Sequence, residues 1–225
     1  MTAAKSGGRL YRRFGKRLVD IVVVVAVSPL AVVLVGLGWV LARASSGGSG
    51  FFVQPRVGRG MKPFMILKLR TMRDVSGASL TRADDPRITT AGGWLRRFKL
   101  DELPQLWNVL LGDMSLIGPR PEIPEWVQAE RSSFEEVLVV RPGLSDLASI
   151  VYHDEASRLS RADAGVDVYG TEILPDKLRL GRLYAENVSL SLDWRLLVLT
   201  AVSILRPDWA AARAEQLARR YGAEA

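Results

Sequence analysis

Residues Ile21–Ala42, IVVVVAVSPLAVVLVGLGWVLA, decide how this chain is built. The run holds 22 residues without a charge. As a straight helix it would be about 33 Å long, enough to cross a bilayer. Ser28-Pro29 sits near its middle. A proline there removes a helical hydrogen bond and favours a kink, and a serine hydroxyl can satisfy the carbonyl that is freed. Basic residues flank both ends: Lys5, Arg9, Arg12, Arg13, Lys16 and Arg17 before, Arg43, Arg56, Arg59 and Lys62 after. A spanning helix usually keeps its cations on the cytoplasmic side alone. From physics alone two readings stand: a helix that dips in, bends at Ser28-Pro29 and returns to the same face, or a kinked single pass. Asp20, at the mouth of the run, is expected to pair with Arg17 or Lys16. A secretory signal is set aside, because the run is too long and has an internal proline, although Ala42-Arg43-Ala44 faintly resembles a cleavage site.

Composition removes several chemistries. At 225 residues the chain can bury one good core beside a membrane segment. It has no cysteine and one histidine, His153, which reads as structural. Disulfides, thiol nucleophiles and Cys/His zinc sites are therefore excluded, and no G-x-S-x-G, Walker A or G-x-G-x-x-G motif is present. The net charge of +7 is uneven: residues 1–73 hold 13 Lys+Arg and one acid, and the remainder holds 18 Lys+Arg and 23 acids. A basic front beside an apolar run reads as attraction to anionic lipid headgroups or phosphates rather than to nucleic acid.

Beyond the Ser-Gly turn at residues 45–50, Phe51-Phe52-Val53 and Phe64-Met65-Ile66-Leu67 have strand character, and Gln54–Gly60 reads as the turn of a small hairpin. Lys68 and Arg70 fall on one side if the chain stays extended. Residues 74–90 read as a polar loop, and Ala91–Phe98 as a short helix. Then comes Leu100-Asp101-Glu102-Leu103-Pro104-Gln105-Leu106, an acidic pair among the cations Arg96, Arg97 and Lys99. Pro104 suits the first turn of a helix ending before Gly112, whose N-terminus would offer N–H groups to an anion. Prolines on both sides of Arg120 hold it extended, and a preordered guanidinium suits bidentate phosphate binding.

Each feature also has a plain structural reading. The acidic pair can cap a helix, the cations can be a solvated face, and Arg120 can be a salt-bridge residue. Their coincidence with a membrane-inserting run favours a site for phosphate chemistry. The apolar stretch from Trp194 to Leu205 is too short to span, and Pro207 stops it. Trp209–Tyr221 is amphipathic. Both can lie on a membrane or pack on the core.

Read together, these segments make the chain resemble the bacterial sugar transferases, the monotopic phosphoglycosyl transferases. The matching pieces are Lys16–Asp20, Ser28-Pro29, Gln54–Gly58, Lys68–Met72, Leu100–Leu106, Gly112–Pro121 and Arg141–Gly143, in order, across most of residues 12–205. The resemblance implies transfer of a sugar-1-phosphate from a UDP-sugar to a polyprenol phosphate, initiating exopolysaccharide or glycoconjugate assembly. It implies Asp101 as nucleophile and Glu102, with Asp101, at Mg²⁺. Arg96, Arg120, Lys68 and Arg70 become phosphate or phosphosugar contacts. Ser28-Pro29 becomes the break of a re-entrant helix. The expected fold is α+β and mainly helical: a basic segment 1–20, a membrane helix 21–42, a catalytic domain 51–205 with a small hairpin, and an amphipathic helix 206–225. It is expected on the cytoplasmic face of a bacterial inner membrane, in contact with lipid and compatible with a homodimer. It reads as a minimal catalytic form without the multi-span region of longer members.

The chain departs from the commonest family pattern after Arg141-Pro142-Gly143, where Leu144-Ser145-Asp146-Leu147-Ala148-Ser149 replaces a glycine-tryptophan-alanine-glutamine run. This leaves the sugar open. Two rival readings remain: a membrane-surface scaffold whose acidic pair is only a cap, and a glycosyltransferase moving the sugar alone, for which the usual D-x-D motif is missing.

Overall fold

The computed structural model describes residues 10–73, 81–162 and 167–223. Lys5 and Arg9, and residues 74–80 of the expected polar loop, lie outside them. The architecture is mainly helical with one small hairpin. A π-helical turn, Tyr11–Gly15, leads into a long helix α1, Lys16–Ser46, which Gly47 ends in the left-handed region at φ 75°. The helical assignment continues through Pro29. Pro29 has no N–H to give to the Val25 carbonyl, and the Ser28 hydroxyl donates to that same oxygen at 2.8 Å.

One narrow stripe of α1 is buried: Asp20, Val24, Ala31, Gly38, Ala42 and Ser46, at steps of four and seven. Small residues let the helix approach closely. A Cβ at Gly38 would come within 2.5 Å of Leu69. The other faces expose Val22, Val25, Leu30, Val32, Val33, Leu37 and Val40. This is the one helix among the described residues long and apolar enough to cross a membrane.

Strands β1 (Phe51–Val57) and β2 (Pro63–Leu69) pair antiparallel, from Phe51↔Leu69 to Val57↔Pro63. Gln54–Val57, read from composition as a turn, is strand. Pro55 is tolerated because a two-stranded sheet has only edges. The true turn is Gly58–Lys62, with Gly60 at φ 65°. Helix α2 (Thr90–Arg97) follows, capped by the Thr89 side chain, which accepts from Gly92 N–H at 2.9 Å. A 3₁₀ turn, Leu100–Gln105, runs into α3, Leu106–Leu111, and Gly112 stops it at φ 94°. Pro104 thus lies inside a 3₁₀ turn and does not open the α-helix, a correction to the sequence expectation.

Strands β3 (Ser115–Ile117) and β4 (Gly143–Ser145) pair in parallel. Short helices α4 (Pro124–Ala129), α5 (Arg131–Val137), α6 (Leu147–Val151) and α7 (Glu155–Arg161) fill the middle of the chain. The last three helices are α8 (Leu174–Glu186), α9 (Leu190–Ser203) and α10 (Pro207–Ala223). Helix α9 buries Leu192, Leu196 and Leu199 and exposes Trp194 and Val198, and α10 packs through Ala210, Ala214 and Ala218.

The basic N-terminal flank is engaged within the protein. Arg12 donates to the carbonyls of Ala185 and Glu186, and Arg17 to those of Val109 and Leu110, at the ends of α8 and α3. Lys16 pairs with buried Asp193 at 2.6 Å, and Tyr11 and Tyr184 bond the same carboxylate. Asp20 pairs with neither Arg17 nor Lys16. It accepts from the Ser115 hydroxyl at 2.8 Å and Leu116 N–H at 3.1 Å. A carboxylate so close to buried backbone finds N–H and O–H donors nearer than any lysine tip.

A second ionic group is also buried. Glu122 accepts from Lys177 at 3.0 Å and Tyr169 at 2.8 Å and pairs with Arg56 at 3.2 Å. Lys177 also reaches Glu155 at 3.2 Å. Burial alone would raise the Glu122 carboxyl, but Lys177 and Arg56 hold it below its ordinary value of 4.5. Because it titrates lower when folded, its contribution is complete above about pH 4.5 and is lost as pH falls through the folded value. Removing one partner leaves an uncompensated buried charge, so Lys177→Met is expected to cost about 3–5 kcal/mol in urea unfolding. Glu122→Gln is expected to flatten the acid limb of the stability profile, and an unchanged limb would show that Glu122 does not carry it.

Candidate active site

Lys99 adopts a left-handed backbone, φ 58°, and turns the chain sharply out of α2. The 3₁₀ turn that follows carries Asp101 and Glu102. Leu100 packs with the Ala42, Leu69 and Leu95 cluster, and Leu103 and Leu106 with Val24 and Ala31. The acidic pair is therefore fixed to the long apolar helix from beneath.

Cations converge on Glu102 from separate parts of the chain. Arg120, beyond β3, donates to its Oε1 through Nη2, and Lys68 of β2 lies 3.7 Å from the same oxygen. Burial by itself would raise the Glu102 carboxyl, but Arg120, Lys68 and Lys99 hold it far below the usual carboxylate range. Glu102 in turn keeps Arg120 firmly protonated. Burial pushes the Lys68 ammonium down to about 8, against the pull of Glu102. Asp101 moves the opposite way: burial, then the charge of Glu102, raises its carboxyl, with Lys68, Arg96 and Arg120 offsetting part of the rise. Two adjacent carboxylates are thus driven apart in basicity, the pattern by which sites divide roles between like groups.

Arg96 enters from the last turn of α2, its Nε donating to the Thr71 hydroxyl at 2.8 Å. Burial lowers its pKa, and Asp101 is the charge that most offsets this. Arg120 is further anchored by its backbone N–H, which donates to Asp146 at 3.3 Å. Asp146 also caps α6 by accepting from Ser149 N–H at 2.8 Å, so the segment that departs from the family pattern sits directly behind Arg120.

Of the residues singled out from sequence, Asp101, Glu102, Lys68, Arg96 and Arg120 form one electrostatic cluster. Arg70 makes its described contacts elsewhere: Nε donates to the Ser49 carbonyl at 2.9 Å and the guanidinium lies over Phe52. Ser28 and Pro29 lie in α1 and belong to its insertion, not to this cluster. Sequence reading did not single out Thr71, nor Glu122 and Lys177 behind Arg56. A hydroxyl directly after Lys68 and Arg70 was the available signal for Thr71. His153 bonds Asp208 at 3.1 Å. A cleft of about 600 Å³ lined by Tyr152, Arg158, Asp176 and Arg179 contains none of the clustered residues, so geometry and charge assign the site, not concavity.

The donor set bears on metal binding. Among the described residues no group of three or more His, Asp or Glu side chains assembles into a closed cage. Two adjacent carboxylates fit Mg²⁺, which takes one or two such oxygens and completes its shell with water and substrate phosphates.

Known proteins resemble this chain along most of its length. Residues 11–207 match the family model described as bacterial sugar transferase. An Aeromonas hydrophila protein named UDP-N-acetylgalactosamine-undecaprenyl-phosphate N-acetylgalactosaminephosphotransferase is 37% identical over 198 residues, 85% of this chain and 44% of its own. The Caulobacter vibrioides UDP-glucose:undecaprenyl-phosphate glucose-1-phosphate transferase is 33% identical over 199 residues, 86% of this chain and 70% of its own. The exopolysaccharide production protein ExoY of Sinorhizobium fredii is 35% identical over 172 residues, 68% of this chain and 74% of its own. The chain thus spans less than half the length of the Aeromonas relative. With the match running from the first turn of the N-terminal helix to the start of α10, the chain belongs to the bacterial sugar transferase family.

Proposed function

We propose that this protein is a phosphoglycosyl transferase that moves a sugar-1-phosphate from a UDP-sugar to a polyprenol phosphate at a membrane surface. The observation that carries the proposal is the geometry of the acidic pair: Arg120 and Lys68 converge on Oε1 of Glu102, the immediate neighbour of Asp101. One carboxyl is made more basic by burial, and its neighbour is held ionised by Arg120 and Lys68. The names of the Aeromonas and Caulobacter relatives support the donor and acceptor classes, and that of the Sinorhizobium relative supports exopolysaccharide production.

In the first step an Asp101 carboxylate oxygen attacks the sugar-bearing phosphorus. The bond to the bridging oxygen breaks, and that oxygen leaves on UMP. The aspartyl-phosphosugar is then attacked by a phosphate oxygen of the polyprenol phosphate, which frees Asp101 and yields a polyprenyl diphosphosugar. Arg96 and Arg120 offset the repulsion between an anionic donor and an anionic nucleophile. Bound Mg²⁺, held by Glu102 and Asp101, would neutralise charge on the diphosphate. Lys68 keeps Glu102 ionised for that task.

Residues at both ends of α1 are tied to one compact domain. Arg17 and Asp20 bond to the α3–β3 region, and Ala42 packs on Leu69 and Leu95. A straight pass would put those ends on opposite faces. The ties support the dipping helix, with the site on the cytoplasmic face beside a lipid-borne acceptor. Exposed Trp107, Leu111, Trp194 and Trp209 are suited to the same interface.

Two measurements test the proposal. With a panel of UDP-sugars and polyprenol phosphate the wild type should release UMP, and Asp101→Asn should reduce that release at least ~10³-fold. Equal release from both removes Asp101 as nucleophile, and release of UDP instead means transfer of the sugar alone. The chain has no cysteine, so single cysteines can be introduced at Arg13 and Gly48. A membrane-impermeant maleimide should label both from the cytoplasmic side, whereas labelling from opposite sides establishes a single pass.

A further inference from the structure

Arg96 carries its role only if something aims it, and its helix is short. Thr71, 6% exposed, lies under that helix. Thr89 N–H donates to the Thr71 carbonyl at 3.0 Å. A Cβ on Gly92 would overlap that carbonyl, so only glycine permits the approach. Arg96 Nε bonds the Thr71 hydroxyl at 2.8 Å. Positions 89, 92 and 96 form one helical face, and all three rest on Thr71. The long apolar helix also holds α2: Leu95 is fully buried with Ala42 and Leu69, and the Ser45 hydroxyl lies 3.3 Å from that of Thr89.

A guanidinium has five donors in a rigid fork. Thr71 occupies the one on Nε, and among the described residues no acceptor takes the Nη hydrogens of Arg96. One edge of the fork is clamped and the other is uncommitted, with Asp101 the charge it feels most.

We propose that Thr71 is a positioning residue for donor binding, its hydroxyl fixing the guanidinium plane of Arg96 so that the Nη edge meets the donor's diphosphate. The inference rests on the proposed function for the identity of the donor, though not for the anion itself. In metal sites, loss of the partner that orients a ligating side chain costs about 10–100-fold in affinity or activity, and a clamped guanidinium is expected at the lower end of that range.

The test uses the full chain in nanodiscs with inorganic pyrophosphate as the probe, read by calorimetry, and UMP release in parallel. Thr71→Val removes the acceptor at nearly constant shape and should weaken pyrophosphate about 10-fold. Thr71→Ser should stay within about twofold. In an Arg96→Ala background Thr71→Val should add nothing, because its effect runs through that arginine. Thr71→Ala serves in place of Thr71→Val if the valine variant does not fold. Unchanged pyrophosphate affinity in Thr71→Val, or an equal loss with and without Arg96, overturns the inference. For the reaction itself, Thr71→Val should raise the donor KM more than it lowers kcat. If wild type releases no UMP while the pyrophosphate cycle holds, the proposed function fails and the positioning role stands. If UMP is released and the cycle shows no coupling, the reverse is true.

Discussion

The contact of Glu102 with Arg120 and Lys68 is the interaction on which this site depends. A carboxylate so buried would otherwise take up a proton. Two cations keep it charged, and burial together with that retained charge raises the neighbouring Asp101. The three residues come from a strand, a 3₁₀ turn and a proline-bounded loop, so the contact also gathers the middle of the chain. Arg120 is held from behind by Asp146, and Arg56 is held by the Glu122–Lys177 group.

The long apolar helix contributes to the same result from the opposite side. Its small residues Ala31, Gly38 and Ala42 let it lie against the strand that bears Lys68 and the helix that bears Arg96. Larger side chains would lift it away and deprive Leu69, Leu95 and Leu100 of their packing surface. One element thus exposes a broad apolar surface and serves as the floor of the acidic pair. Under the proposed function, this arrangement would let a soluble nucleotide sugar and a lipid-borne phosphate approach one carboxylate.

Much of this was legible in the sequence where the cause is local. The charge-free run, the hairpin and the glycine stop at Gly112 follow from neighbours along the chain, whereas Lys68 and Arg120 were picked out beside the acidic pair by the family resemblance. What escaped depended on distance. Glu122 and Lys177 are 55 residues apart, and nothing local marks them as partners. The cations before the charge-free run looked free for lipid, yet Arg12 and Arg17 cap helices that only the fold brings near. Pro104 carried the ordinary signal of an α-helix start, but the left-handed Lys99 begins a tighter turn earlier. Lys68 and Arg70 were indistinguishable by alternation. The strand ends at Leu69, after which Arg70 turns to Ser49.

The account stands on a covalent link between Asp101 and the phosphosugar. Intact-protein mass spectrometry after a millisecond quench, with donor present and acceptor omitted, tests it most directly. The account predicts a mass increase equal to one sugar phosphate, located on the peptide containing Asp101 and missing from Asp101→Asn. Turnover on addition of acceptor, with no such adduct at any quench time, would contradict it.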